Sequence, residues 1–260
     1  MMLTMVSRRP FATRPMLAGA MLWLVLMSMS LHAFAQVAGT VTQLSGPMMA
    51  KKADGKVKIL SLKSEVEAGD TLVTEKNTYA LVKFIDNSEI TLKPGTTFVV
   101  EQFAYQAEQP EGDRASFNLV KGGLRSLSGL LGKRSKEKFS LKTPVATIGI
   151  RGTYFTVEYI SAGGYAAPGS SLPKTAPSAG PTLAPGLYTS VTTGQIVVSN
   201  PGGTLDIVAG QFGFTPTGNS PTMLVPKSAG PQFTLPSKLG ALGQPATASE
   251  ESNGPECIVR

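Results

Sequence analysis

The chain has 260 residues, with 24 Lys and Arg against 17 Asp and Glu for a formal charge of +7, and it holds one His, one Trp and one Cys. Both His32 and Trp23 fall within the first 35 residues and Cys257 is the fourth residue from the C-terminal end. If the first 35 residues are removed, imidazole-based nucleophilic catalysis, histidine metal sites and internal disulfides are all excluded from what remains.

That removal is what the N-terminal pattern predicts. Arg8, Arg9 and Arg14 precede an apolar run from Met16 to Met27, which ends at Ala33-Phe34-Ala35, with no acid anywhere in the segment. This is the basic, apolar and small-residue order of a secretory signal, with cleavage expected after Ala35. Met16–Ala35 is also long enough to span a bilayer if it is retained, which is the only membrane contact the sequence suggests. Ser7-Arg8-Arg9-Pro10-Phe11 matches part of a twin-arginine signal, so the export route stays open between the two systems. The mature chain, 36–260, has 225 residues with 21 basic and 17 acidic side chains, so part of the basicity belongs to the signal. A periplasmic or secreted location is expected.

From Val37 to about Ile160 the chain reads as short strands. Tyr79–Ile85 and Thr97–Phe103 are rich in β-branched and aromatic residues, and Ser88–Lys93 alternates polar and apolar. Turn chemistry interrupts them at Gly69-Asp70, Asp86-Asn87-Ser88 and Pro94-Gly95. Two internal echoes occur: Val66-Glu-Ala-Gly-Asp70 with Ile207-Val-Ala-Gly-Gln211, and Leu119–Leu124 with Val191–Ile196. They suggest an all-β fold of stacked strand-turn units, a solenoid or β-roll, with a closed barrel or sandwich as the alternative. Residues 161–186 are rich in Gly, Ala, Pro and Ser and read as a mobile insertion within one β domain of residues 36–214. Strands resume at Leu187–Val191, Gln195–Val198 and Thr204–Val208. After Thr215, prolines at 216, 221, 226, 231 and 236 mark residues 215–260 as an extended or disordered Pro-rich tail.

Val37-Ala-Gly39, Ala68–Thr74, Leu81–Ser88, Ile90–Gly95, Leu119–Gly123, Thr143-Pro144 and Ile150–Phe155 occur in the order of the FecR domain, which the chain resembles over roughly residues 37–158. One departure is Asn87, where that family commonly has Gly; Asn tolerates the same left-handed turn. The resemblance implies a periplasmic, solenoid-like β module. In the regulators that name the family, that module relays a signal from an outer-membrane receptor to a cytoplasmic sigma factor through an N-terminal anti-sigma region, for which this sequence has only about fifteen residues before its apolar run.

Two groups of residues are singled out. Gly69, Asp70, Asp86, Gly152 and Thr153 are expected to build turns. Arg151 either contacts a partner carboxylate or glycan or pairs internally with an acid such as Asp70 or Asp86. Between Lys121 and Arg151 eight basic residues face Glu137 alone, and Lys133, Arg134, Lys136 and Lys138 cluster in what reads as a hairpin tip. Such a cluster suits an envelope protein or an anionic glycan, and equally a solvated edge. Nucleic acid is not expected, since no aromatic residues interleave the bases. Ser135-Lys-Glu-Lys138 and Ser171-Leu-Pro-Lys174 fit S-x-x-K without a helix to align them, and no run of acidic residues makes a calcium shell. The chain is therefore expected to be a non-enzymatic binding module without cofactor or metal, either a protein-protein relay in envelope signalling or a structural, polymer-associated envelope protein.

Overall fold

The structure, a computed structural model, describes residues 36–161 and 183–231. The expected signal segment, most of the 161–186 insertion and the last part of the tail, including Cys257, lie outside the described residues.

Strands dominate, as the alternating pattern requires. β1 (Val37–Leu44), β2 (Met48–Lys51), β3 (Val57–Leu60), β4 (Glu65–Glu67), β5 (Thr71–Thr74), β6 (Ala80–Phe84), β7 (Glu89–Leu92) and β8 (Thr97–Ala104) are three to eight residues long. β9 (Arg114–Leu127) is longer, and helix α1 (Leu130–Arg134) and a 3-10 turn at Lys136–Lys138 connect it to β10 (Phe139–Lys142). β11 (Thr147–Ile160), β12 (Gly186–Asn200), β13 (Gly203–Val208), β14 (Phe212–Thr215) and β15 (Met223–Val225) follow. All fifteen strands among the described residues join one sheet.

β9, β11 and β12 each change partners midway. β9 pairs with β8 and, in parallel, with β10 through its first half, then with β7 and β11 through its second. β11 passes from β10 to β9, and β12 from β14 to β13. A glycine with positive φ sits at each change: Gly122 (+85°), Gly152 (+61°) and Gly194 (+79°). A side chain strains that backbone, so a residue without Cβ is what lets each strand turn a corner.

The bends fold the sheet over its own apolar face. Phe84 on β6 meets Phe103 on β8 (ring centroids 4.8 Å apart) and Phe117 on β9 (5.3 Å), while Phe117 also stacks on Phe98 (5.3 Å) and approaches Phe139 (5.7 Å). One apolar cluster extends from these rings through Leu92, Leu124, Leu141, Ile148, Phe155 and Ile196. Burying each large side chain of this kind stabilises the fold by about 1.5–3 kcal/mol.

The all-β expectation holds, but the ladders do not describe stacked repeats. Pairing is antiparallel everywhere among the described strands except between β9 and β10, whereas successive coils of a parallel solenoid would pair in parallel at a fixed period. The echoes have a different cause. Gly69 (+91°) and Gly210 (+83°) turn the chain from β4 to β5 and from β13 to β14, and Gly122 and Gly194 are two of the three bends. Repeated glycine conformations produced the echoes. Leu187–Val191 and Gln195–Val198, read as two strands, are one strand bent at Gly194. The tail also begins later than expected, because β15 pairs with β14 and Asn200 Nδ2 donates to the carbonyls of Thr217 (3.3 Å) and Ser220 (2.8 Å). Pro221 and Pro226 bracket β15 without entering it.

A Cβ on Gly194 would lie 2.3 Å from the Gly152 carbonyl oxygen, whereas a Cβ on Gly149 meets nothing within 4 Å. Gly194→Ala is expected to lose at least about 2 kcal/mol in denaturant unfolding, from left-handed strain plus this clash, and Gly149→Ala to stay within about 0.5 kcal/mol of the parent.

Candidate partner-binding surface

The basic cluster spans a seated helix, α1, and the 3-10 turn that follows it, and is not a free hairpin tip. Leu131 and Gly132 are buried, and the Asp86 turn holds the helix start: Asp86 accepts hydrogen bonds from Leu130 N on its carbonyl (2.8 Å) and from Leu131 N on Oδ2 (3.2 Å). Oδ1 of Asp86 accepts from Ser88 N (2.9 Å) and Ser88 Oγ (2.6 Å), which fixes the carboxylate. Asn87 supplies the left-handed residue of this turn at φ +62°. Gly129 must be glycine, since a Cβ there would lie 2.4 Å from both Asp86 O and Ser88 N.

Arg134 closes the other end. Its Nε donates to Asp113 Oδ2 (2.8 Å) and its Nη2 to Asp113 Oδ1 (2.7 Å), while Nη1 reaches Ala107 O (2.7 Å) and Nη2 reaches Gln106 O (2.6 Å). The guanidinium also lies 4.5 Å from the centre of the Tyr105 ring, and Ser135 Oγ donates to Asp113 Oδ2 (2.8 Å). The planar fork of Arg134 is thus spent on a buried carboxylate and two carbonyls, which removes it from the expected contact set. Lys133, Lys136 and Lys138 are exposed and form no ion pair among the described residues. The rigid scaffold presents three lysines, not four basic groups.

Of the remaining predicted residues, Gly69 and Asp70 lie between β4 and β5, and Arg151, Gly152 and Thr153 lie at the bend inside β11. Asp70, almost fully buried, accepts from Lys52 Nζ (2.9 Å) and Glu67 N (2.9 Å), and Gly69 N donates to Val100 O (2.6 Å). Thr153 is buried where three strands meet: Oγ1 donates to Gln195 O (2.7 Å) and accepts from Arg151 N (3.2 Å), and its N–H donates to Ser128 Oγ (2.9 Å). Arg151 pairs with neither Asp70 nor Asp86: Asp70 is held by Lys52 and Glu67 N, and Asp86 by Ser88 and Leu131 N. The Arg151 side chain is exposed at the Gly152 bend without an ion pair among the described residues. Asp113 escaped the sequence reading, since nothing local marks an acid that pairs across 21 residues. Lys93 and Glu158, 2.6 Å apart and 65 residues apart in sequence, escaped it for the same reason.

Two cavities among the described residues, one beside Asp86, Ser128 and Ile150 and one beside Tyr188 and Phe212, each enclose about 10 Å³. A small-molecule site needs several hundred, so neither of these two cavities is one.

The Arg134 hydrogen bonds hold the Asp113 carboxyl below its ordinary 3.8, against the opposing effect of burial. Its stabilisation is complete above the unfolded-state value and is lost as pH falls through the lower folded-state value. Asp113→Asn is expected to cost about 2 kcal/mol near neutral pH and to flatten this acid-range loss, as read by unfolding midpoints between pH 2 and 6.

Residues 70–166 match the family model described as FecR protein. No curated protein matches the sequence. Two crystal structures, each of a candidate anti-sigma factor from Parabacteroides distasonis ATCC 8503, are similar over 60% of this chain and 58% of theirs, at 13% and 15% identity with TM-scores of 0.40 and 0.41. The chain thus spans little more than half the length of those structures. The match begins at Asp70, leaving β1 to β4 outside it, and takes in the Asp86 turn, α1 and the Arg151-Gly152-Thr153 bend. Across residues 70–166 this chain carries a FecR domain.

Proposed function

We propose that this chain is an exported, non-enzymatic binding module that works at the cell envelope as a protein-protein relay or accessory factor in signalling, with its signal segment cleaved after Ala35 and neither cofactor nor metal required. The observation that carries the reading is the build of α1 within the FecR domain. A five-residue helix has no stability of its own, yet Asp86 and the Asp113–Arg134 clamp fix it at both ends, with Lys133 exposed on the helix and Lys136 and Lys138 exposed on the 3-10 turn that follows. Charge held on a rigid support loses little entropy when it meets a partner's acidic groups. The second reading, an envelope protein that holds anionic polymer, rests on the same lysines, and ionic strength separates the two. Point charges alone are screened within about 8–10 Å at physiological salt, whereas a shaped protein interface survives it.

The test is affinity capture from cell envelopes with the full-length chain tagged at its C-terminus, washed at low and high salt, beside the variant Lys133→Ser, Lys136→Ser, Lys138→Ser. A membrane protein retained at high salt by the parent and bound about tenfold more weakly by the variant, roughly 1.4 kcal/mol, is the expected result. Recovery of polymer alone, released by salt, would exclude the relay.

A further inference from the structure

β3 is an open edge. It pairs with β2 and with no other described strand. Lys52 N donates to Lys56 O (2.8 Å), which sets the alternation of the β2–β3 ladder: Lys56, Lys58 and Leu60 bond inward, and the N–H and C=O groups of Val57 and Ile59 point away from the sheet. The side chains on this row are apolar and open to solvent. Val57 is 63% exposed, Ile59 77%, and Leu62 just beyond is 57%. Ile59 stands opposite Met49, and Met49 opposite Val73, so the apolar row continues across the uncovered outer face.

An edge guarded against association carries charge on its outward row; this one carries isoleucine and valine. Its charges lie around that row and are mostly basic. Five lysines occur from Lys51 to Lys63 against Asp54 alone. Lys52 is held by Asp70 and Glu67, and Lys56 by Asp54, leaving Lys51, Lys58 and Lys63 exposed with no ion pair among the described residues. A second copy of this chain is a poor occupant, because pairing two such edges sets Lys58 near Lys58. The edge lies outside residues 70–166, which match the FecR family model.

We propose that the β3 edge accepts an extended acidic strand from a partner protein by β-augmentation, with aliphatic residues beside Val57 and Ile59 and a carboxylate residue beside Lys58. The proposal rests on the protein-binding reading above and names a surface for it on a different part of the sheet from α1.

The probes are fluorescein-labelled nine-residue peptides that alternate Val with Glu or Val with Lys, titrated by anisotropy into the full-length protein and into Lys58→Glu, a surface change at the strand rim. The Val/Glu peptide is expected to bind the parent at least tenfold more tightly than the Val/Lys peptide, to lose that preference on Lys58→Glu, and to slow amide exchange at Val57 and Ile59. No binding of the Val/Glu peptide, equal binding by the parent and Lys58→Glu, or protection confined to other strands would each overturn the proposal. Peptide binding without any retained envelope protein would sink the relay and leave the edge standing. A retained envelope protein without peptide binding would do the reverse.

Discussion

Three long strands pass from one side of the phenylalanine core to the other, and each does so at a residue that lacks a side chain. The bends are not independent. The place a Cβ would take on Gly194 is filled by the backbone of Gly152 and Thr153, so β11 and β12 turn together as a nested pair. Thr153 then ties that corner to Gln195 and Ser128, which carries the turn to the end of β9. Everything that folds over the core, from Phe84 against Phe117 to the seat of α1, depends on these corners keeping their angle.

Three aspartates of the chain are used inwardly. Asp70, Asp86 and Asp113 are each nearly fully buried and each accept several hydrogen bonds in a turn or at a helix end. Their charge is neutralised by Lys52, by Arg134, or by N–H and hydroxyl donors. The lysines that remain face solvent without an equal number of carboxylates beside them, and the electrostatic sign of the surface follows from where the fold needs its anions.

Much of this was legible in the sequence, in a physically uneven way. Alternation and turn residues located the strands; Gly69, Asp70 and Asp86 lie between strands, while Gly152 and Thr153 lie at a bend inside β11. The basic cluster was visible as composition, but its division into a clamped Arg134 and three free lysines depends on Asp113, whose approach is set by the sheet and not by local spacing. Of the two expectations for Arg151, internal pairing with Asp70 or Asp86 does not occur, since Lys52 and Leu131 N, both distant in sequence, already hold those acids. The echoes were real as glycine conformations and misleading as repeats, since a left-handed residue looks the same in a hairpin turn and in a bent strand. Where the tail starts was misjudged because prolines forbid a strand only at the positions they occupy.

One pairing bears on how the chain tolerates change. Ile160 and Gly186 face each other as partners at the ends of β11 and β12, so the 25 residues from 161 to 185 leave and re-enter the sheet at neighbouring points. Closing a segment between fixed neighbouring points costs only about 0.6 kcal/mol more for each doubling of its length. That junction is the natural place in the molecule for sequence to grow or shrink without disturbing the core, and a permissive port for inserting an epitope or a reporter domain.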